Sequence, residues 1–180
     1  MTSTTTLLEP PRFVEGRRLL ITGLRGRFTP ATLRDIPILW EQWLPNAERV
    51  PNRAGRTDFG VSLAATPDGS GDGQEGAFDY VCGVEVSDFG GLPPGWAQIT
   101  IPAQRCAVFE HRGHVTELCR TVRTIFREWL PSSGCAWRAD PGGVLVFERY
   151  REDFDPKQGV GGMEVWLPMH EPHHHGQAGN

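Results

Sequence analysis

No apolar run in these 180 residues approaches the roughly 20 that a membrane-spanning helix needs. The first stretch, Met1 to Pro11, is Thr-rich and lacks the charged-then-apolar order of a secretory signal, so the expected compartment is the cytoplasm, with no membrane partner. Basic charge is also short. Lysine and arginine total 18 against 22 Asp and Glu, a net charge of −4, and no basic cluster forms a continuous stripe. Phosphate-backbone attraction is then weak, and nucleic acid is not expected as a direct partner. The four cysteines, Cys82, Cys106, Cys119 and Cys135, show no CxxC spacing and read as reduced, small hydrophobes. GxSxG and P-loop patterns are missing, and His111 and His114 follow no serine or cysteine nucleophile arrangement. In the loop from Thr66 to Ala77, Asp68, Asp72 and Glu75 miss the one-three-five spacing of a calcium loop. His173, His174 and His175 stand side by side on a polar tail, without a fixed second shell to orient a metal. No metal and no cofactor is expected.

What the chain does have is a repeat. Trp40-Glu41-Gln42-Trp43-Leu44-Pro45 returns as Phe126-Arg127-Glu128-Trp129-Leu130-Pro131, from residue 40 to residue 126, an offset of 86. The same offset lays Asp58 to Ala65 on Val144 to Arg151, and a shift of 85 lays Asp79 to Cys82 on Glu164 to Leu167. Each copy reads strand, helix, strand, strand. In the first, a strand over Arg18 to Gly23 precedes a helix carrying Leu33, Ile36, Trp40 and Trp43, which Pro45 stops, and strands follow at Phe59 to Ala65 and Tyr80 to Val86. Pro37 fits only a first turn or a kink. In the second, Arg105 to Glu110 precedes a helix striped by Val115, Leu118, Cys119, Val122, Ile125, Phe126 and Trp129, which Pro131 ends. Strands at Val144 to Arg151 and Met163 to Leu167 complete it. The expected fold is α+β: a duplicated βαββ, with repeat one at 12–90 and repeat two at 96–169 related by a pseudo-twofold. Residues 1–11 and 170–180 are expected to be disordered flanks, and a ligand cleft is expected at the seam.

Chemistry concentrates on one strand. Alternation puts Val144, Val146, Glu148 and Tyr150 on one face, so a carboxylate shares a face with valines and a tyrosine. If that face looks inward, Glu148 loses hydration and a cationic or hydrogen-bonding guest would restore its charge. Gly60, Ser62 and Ala64, at the matching positions of repeat one, are small and would leave open volume beside it. The alternative, an exposed Glu148 or one paired with Arg149, Arg105 or Arg112, stays open. Glu164 competes, because it shares a face with Trp166, although a strand at a sheet edge often carries solvent-facing acids. Glu110, which ends its strand beside His111 and Arg112, and Glu85, expected to be solvated near a turn, are weaker candidates. Six tryptophans are many for this length. Trp40, Trp43, Trp129 and Trp137, with Tyr80 and Phe109, offer flat walls for an aromatic or cationic guest, with core packing as the competing use.

The run from Ile99 to Gly113 (ITIPAQRCAVFEHRG), the helix after it, Phe147-Glu148-Arg149-Tyr150 and Glu164-Val165-Trp166-Leu167-Pro168 together resemble the GyrI-like small-molecule-binding domain. That module is also the effector-binding domain of AraC-type and MerR-type multidrug regulators, and the resemblance spans about Phe13 to Met169. It implies a duplicated βαββ fold and an acid in the Val144 to Arg151 strand that meets cationic, planar, hydrophobic ligands, which falls on Glu148. It also implies an aromatic wall at Phe59, which stands on the opposite alternation to Ser62. Members with Glu-x-Tyr, matched here by Glu148 and Tyr150, resemble hydrolases that open the cyclopropane of DNA-alkylating natural products. Only about a dozen residues precede the first expected strand, too few for a helix-turn-helix, so a self-contained transcription factor is not expected.

The function expected first is drug binding or sequestration, with a hydrophobic or cationic aromatic guest held by Glu148, Tyr150, Phe59, Trp40, Tyr80, Phe109, Trp137, Glu164 and Trp166. The second is a detoxifying cyclopropanoid hydrolase, in which Glu148 and Tyr150 are catalytic and activate water. The third is a protein acting on a macromolecular partner such as gyrase through surface acids.

Overall fold

The computed structural model describes residues 8–65, 76–137 and 143–169. Its strands are β1 (Arg12–Gly16), β2 (Leu19–Phe28), β3 (Arg53–Ala64), β4 (Phe78–Val86), β5 (Ala97–Ile101), β6 (Gln104–His111), β7 (Val144–Tyr150) and β8 (Met163–Pro168). All pair antiparallel in one sheet of order β1-β6-β8-β7-β3-β4-β2-β5. Helix α1 (Ile36–Ala47) lies between β2 and β3 in the chain. Between β6 and β7 runs α2 (Leu118–Thr124), followed by a π-helical turn (Ile125–Trp129) and α3 (Leu130–Ser133). Outwards from the central β7–β3 pair the order is β7, β8, β6 on one side and β3, β4, β2 on the other. The fold is α+β, as the pattern of apolar residues implies.

Both prolines read as helix stops are absorbed by their helices. Pro37 is the second residue of α1, where its missing N–H has no intrahelical acceptor to serve. Pro45 sits inside α1, which runs on to Ala47. It is exposed, as is Glu41 four residues earlier, so the carbonyl deprived of a donor lies on the solvent side of the helix. Before Pro131, the Leu130 N–H bonds back to the Ile125 carbonyl, five residues away. That shift leaves Pro131 in the first turn of α3, where a proline needs no donor. Two further strands escaped sequence reading: β1, a short edge strand, and β5, whose alternation is brief.

The connections force the sheet to curl. Only Arg17 and Arg18 separate β1 from β2, and only Pro102 and Ala103 separate β5 from β6. Yet β1 is outermost on one side of the sheet and β5 on the other, so the two edges are drawn together. Inside the curl, Leu19, Ile21, Phe59, Val61, Val81, Ile101, Val108, Phe147 and Trp166 form one cluster drawn from β2 through β8. Gly23 and Gly83 face each other across β2 and β4, and a Cβ on Gly23 would stand 1.9 Å from the Cys82 carbonyl oxygen. Only glycine permits that approach.

The outer face carries two clusters, each under its own helix. Trp43 of α1, fully buried, packs with Phe28, Tyr80, Cys82 and Val84; burying a side chain of this size contributes about 2–3 kcal/mol. Leu118 and Ile125 pack with Ala107, Phe109, Met163 and Val165. Burial pushes the thiols of Cys82 and Cys106 up to about 12, so both act as packing groups. The middle strands β3 and β7 run through the seam between the two helical covers.

The Glu148 seam as candidate functional site

Val146, Glu148 and Tyr150 point to the helix-covered face, as alternation predicts, with Val146 and Tyr150 in its cluster. Val144 departs from this pattern: the register of β3 against β7 shifts between Ser62 and Leu63, and Val144 packs against the interior cluster. The acid is held by two hydroxyls. Tyr150 Oη donates to Glu148 Oε2 at 2.7 Å, Tyr80 Oη donates to the same oxygen at 2.9 Å, and Trp40 Nε1 donates to Tyr80 Oη at 3.2 Å. The Trp40 ring meets Tyr150 edge to face, with centroids 5.3 Å apart, and Phe154 lies 5.1 Å from Tyr150 on a further contact. Glu148 Oε1 takes no hydrogen bond from any described residue, and Glu148 makes no ion pair with Arg149, Arg105 or Arg112.

Like Asp58, this half-buried acid is shifted upwards by its surroundings. Burial raises its pKa, and the hydrogen bonds from Tyr150 and Tyr80 only partly oppose the rise. Burial, reinforced by Glu148, pushes both tyrosines well above the usual phenol value, so they serve as donors. The open volume expected over Gly60 is filled. A Cβ there would meet Tyr80 Oη at 2.1 Å and Glu148 Oε2 at 2.6 Å. The missing side chain makes room for the tyrosine and the carboxylate, rather than leaving an empty chamber.

Three of the expected site residues stand on the other face of the sheet. Glu148 pairs with Gly60 on one side and Val165 on the other, which sends Phe59, Glu164 and Trp166 into the curl. Phe59 is fully buried in the interior cluster and cannot wall the Glu148 seam. Glu164 is no edge residue either, because β8 lies between β6 and β7. It accepts from Trp166 Nε1 at 2.8 Å, Arg12 at 2.6 Å and Arg151 at 2.8 Å. Burial alone would raise its pKa, but the Trp166 and Arg12 hydrogen bonds outweigh it and hold the carboxyl below the usual value.

Phe109 and Trp137 stay on the Glu148 face as packing residues: Phe109 against Trp129 at 4.9 Å, Trp137 against Phe126 at 5.0 Å with its Nε1 donating to the Leu145 carbonyl. Glu110 pairs with Arg12 and Arg151. Glu85 is nearly buried and gripped by both Nη groups of Arg17, contrary to the expected solvation. His111 is buried between Thr121 Oγ1 and the His114 carbonyl. No group of three or more His, Cys, Asp or Glu suited to a metal occurs among the described residues. The sequence-level calcium and tail-histidine readings lie outside them. No described helix is long and apolar enough to cross a membrane.

A curled antiparallel sheet under two helical covers is the architecture of a small-molecule-binding domain. The chain belongs to the GyrI-like small-molecule-binding domain family, which matches residues 9–170. It is 28% identical over 162 residues to the transcriptional regulator BrlR of Pseudomonas aeruginosa, covering 88% of this chain and 55% of the relative. It thus spans about half the length of that relative. Among solved structures, SAV2435 bound to tetraphenylphosphonium superposes with a TM-score of 0.67 at 16% identity, covering 92% of this chain and 97% of the other. The integron cassette protein VCH_CASS2 of Vibrio cholerae does so with a TM-score of 0.58 at 17% identity, covering 91% and 97%. At such identities these two likenesses establish the fold.

Proposed function

We propose that the seam over β3 and β7 is the ligand site and that it takes bulky aromatic cations, held against Glu148. One observation carries the reading: a half-buried carboxylate with one oxygen doubly hydrogen-bonded, the other without a protein partner, and no cation beside it among the described residues. A guest cation would supply the missing charge, and the faces of Trp40 and Tyr150 would supply a π surface. The tetraphenylphosphonium bound by SAV2435 is a guest of this class, and supports the choice of probe. In the closed arrangement Trp40 rests on Tyr150, so binding requires Trp40 to swing off it and release Tyr80. The role is then that of a cytoplasmic drug-binding or sequestering module, built from units at 12–90 and 96–169.

Calorimetric titration with tetraphenylphosphonium tests this. Wild type should bind saturably, and Glu148→Gln should weaken binding at least tenfold, about 1.4 kcal/mol. Equal affinity in the two proteins refutes the assignment.

A hydrolytic reading draws on the same oxygens. A carboxylate of raised pKa is the better general base, and Tyr150 lies 2.7 Å from it as a donor to developing negative charge. Incubation of a cyclopropanoid alkylator with excess protein discriminates: the intact compound recovered at the rate of the protein-free control excludes turnover.

A further inference from the structure

Next to Glu148 in the chain, Arg149 points the other way, into the curl. Its guanidinium carbon lies 4.9 Å from the Trp166 ring centroid and 5.6 Å from that of Phe59. No described residue offers the guanidinium a hydrogen-bond acceptor. Its Nε is buried without a hydrogen-bond partner, and Arg149 forms no ion pair among the described residues.

The surrounding charges are already matched with one another. Arg17 holds Glu85, while Arg12 and Arg151 share Glu164 and Glu110. Arg149 is the odd cation, and burial lowers its pKa from the usual guanidinium value. Glu164, opposite it across the β7–β8 ladder, and Glu85 attract it, but neither makes an ion pair with it, and a half-buried cation with no contacting carboxylate is a costly arrangement unless something completes it.

Arg149 lines a cavity of about 40 Å³ where the edges of the sheet are drawn together, with Gly16, Leu19, Ile101, Phe147 and Trp166 around it. By volume this admits about three waters, so a carboxylate group fits and a nucleotide or peptide does not. The apolar walls suit an organic acid better than a fully hydrated phosphate. Guanidinium edges match carboxylates in plane, the geometry a bound acid would use.

We propose that the mouth of the curled sheet is a second ligand site, in which Arg149 binds the carboxylate of a small organic acid whose apolar body rests against Leu19 and Ile101. It is separate from the Glu148 seam, on the opposite face of the sheet, and stands or falls independently of it.

Benzoate is the probe, with benzamide as its uncharged counterpart, and the ¹⁵N-resolved Arg149 Nε–H resonance is the readout. Millimolar benzoate should move that resonance saturably, and benzamide should not. In calorimetry, Arg149→Met should weaken benzoate at least tenfold, while Arg56→Gln, which removes an exposed arginine paired with Glu152, should leave it unchanged. A resonance that stays fixed up to tens of millimolar benzoate overturns the proposal, as does equal movement with benzamide. Equal benzoate affinity in Arg149→Met overturns it too. The resonance is measured on wild type, so the proposal remains testable even if Arg149→Met folds poorly.

Discussion

Glu148 and Arg149 are adjacent on one strand, yet they live in different solvents. Glu148 faces the seam between two helical covers, where its partners are neutral hydroxyls. Arg149 faces the interior of the curl, where its partners are aromatic rings. The acids of the two faces differ in the same manner. Glu164 is the more deeply buried acid and keeps its charge, because Arg12, Arg151 and the Trp166 N–H surround it. Glu148 has no paired cation among the described residues, and burial shifts it towards its neutral form. Burial alone does not decide ionisation; the supply of compensating charge does. A site for a charged guest is a place where the fold withholds that compensation.

The most severe way to break this contrast is to fill the space the acid occupies. Gly60→Val should cost about 3 kcal/mol, read as a lowered denaturation midpoint, because its side chain collides with Tyr80 Oη and the Glu148 carboxylate. An unchanged midpoint would mean that the tyrosine and carboxylate are not packed over Gly60. Next, Glu164→Gln should destabilise by about 2 kcal/mol through its orphaned arginines while leaving tetraphenylphosphonium affinity intact. Loss of cation binding in that variant would place the ligand inside the curl.

A gentler probe is Tyr80→Phe, expected to cost about 1 kcal/mol. It removes a hydrogen bond that lowers the Glu148 pKa, so NMR titration of the Glu148 carboxyl should show that pKa rising further. Smallest is the dependence on pH. The raised pKa of Glu148 contributes stability that is present below the ordinary carboxyl value and lost as pH rises through its folded value. Glu164, with a lowered pKa, contributes stability that is present above the ordinary value and lost as pH falls through its own. Cation affinity should therefore increase with pH across the Glu148 titration, and Glu148→Gln should flatten that increase.

Alternation along Val146, Glu148 and Tyr150 was legible from the chain alone, since a strand's faces follow from parity. The family was legible too, in the run from Ile99 to Gly113 and the Glu-x-Tyr strand. What parity cannot supply is how one strand is phased against the next. Trp166 and Glu164 were placed beside Glu148, but the pairing of Glu148 with Val165 turns them to the opposite face. Phe59 carried its own warning, being out of step with Ser62. Tyr80 was named as a wall, whereas its hydroxyl is a donor, a role visible only once β3 and β7 are neighbours. Pro45 and Pro131 misled because exposure and a π-helical turn let helices absorb residues that normally end them.

The meeting of Tyr80 and Glu148 over Gly60 also carries a timetable. The two residues are 68 positions apart in the chain and belong to β4 and β7, the strands on either side of β3. Local pairing of β3 with β4, or of β7 with β8, can proceed without bringing them together. The acid loses its water only when β3 and β7 zip, a closure of long-range loops that is slow compared with hairpin formation. In a refolding chain, the proton affinity of Glu148 is therefore a clock for the joining of the two halves.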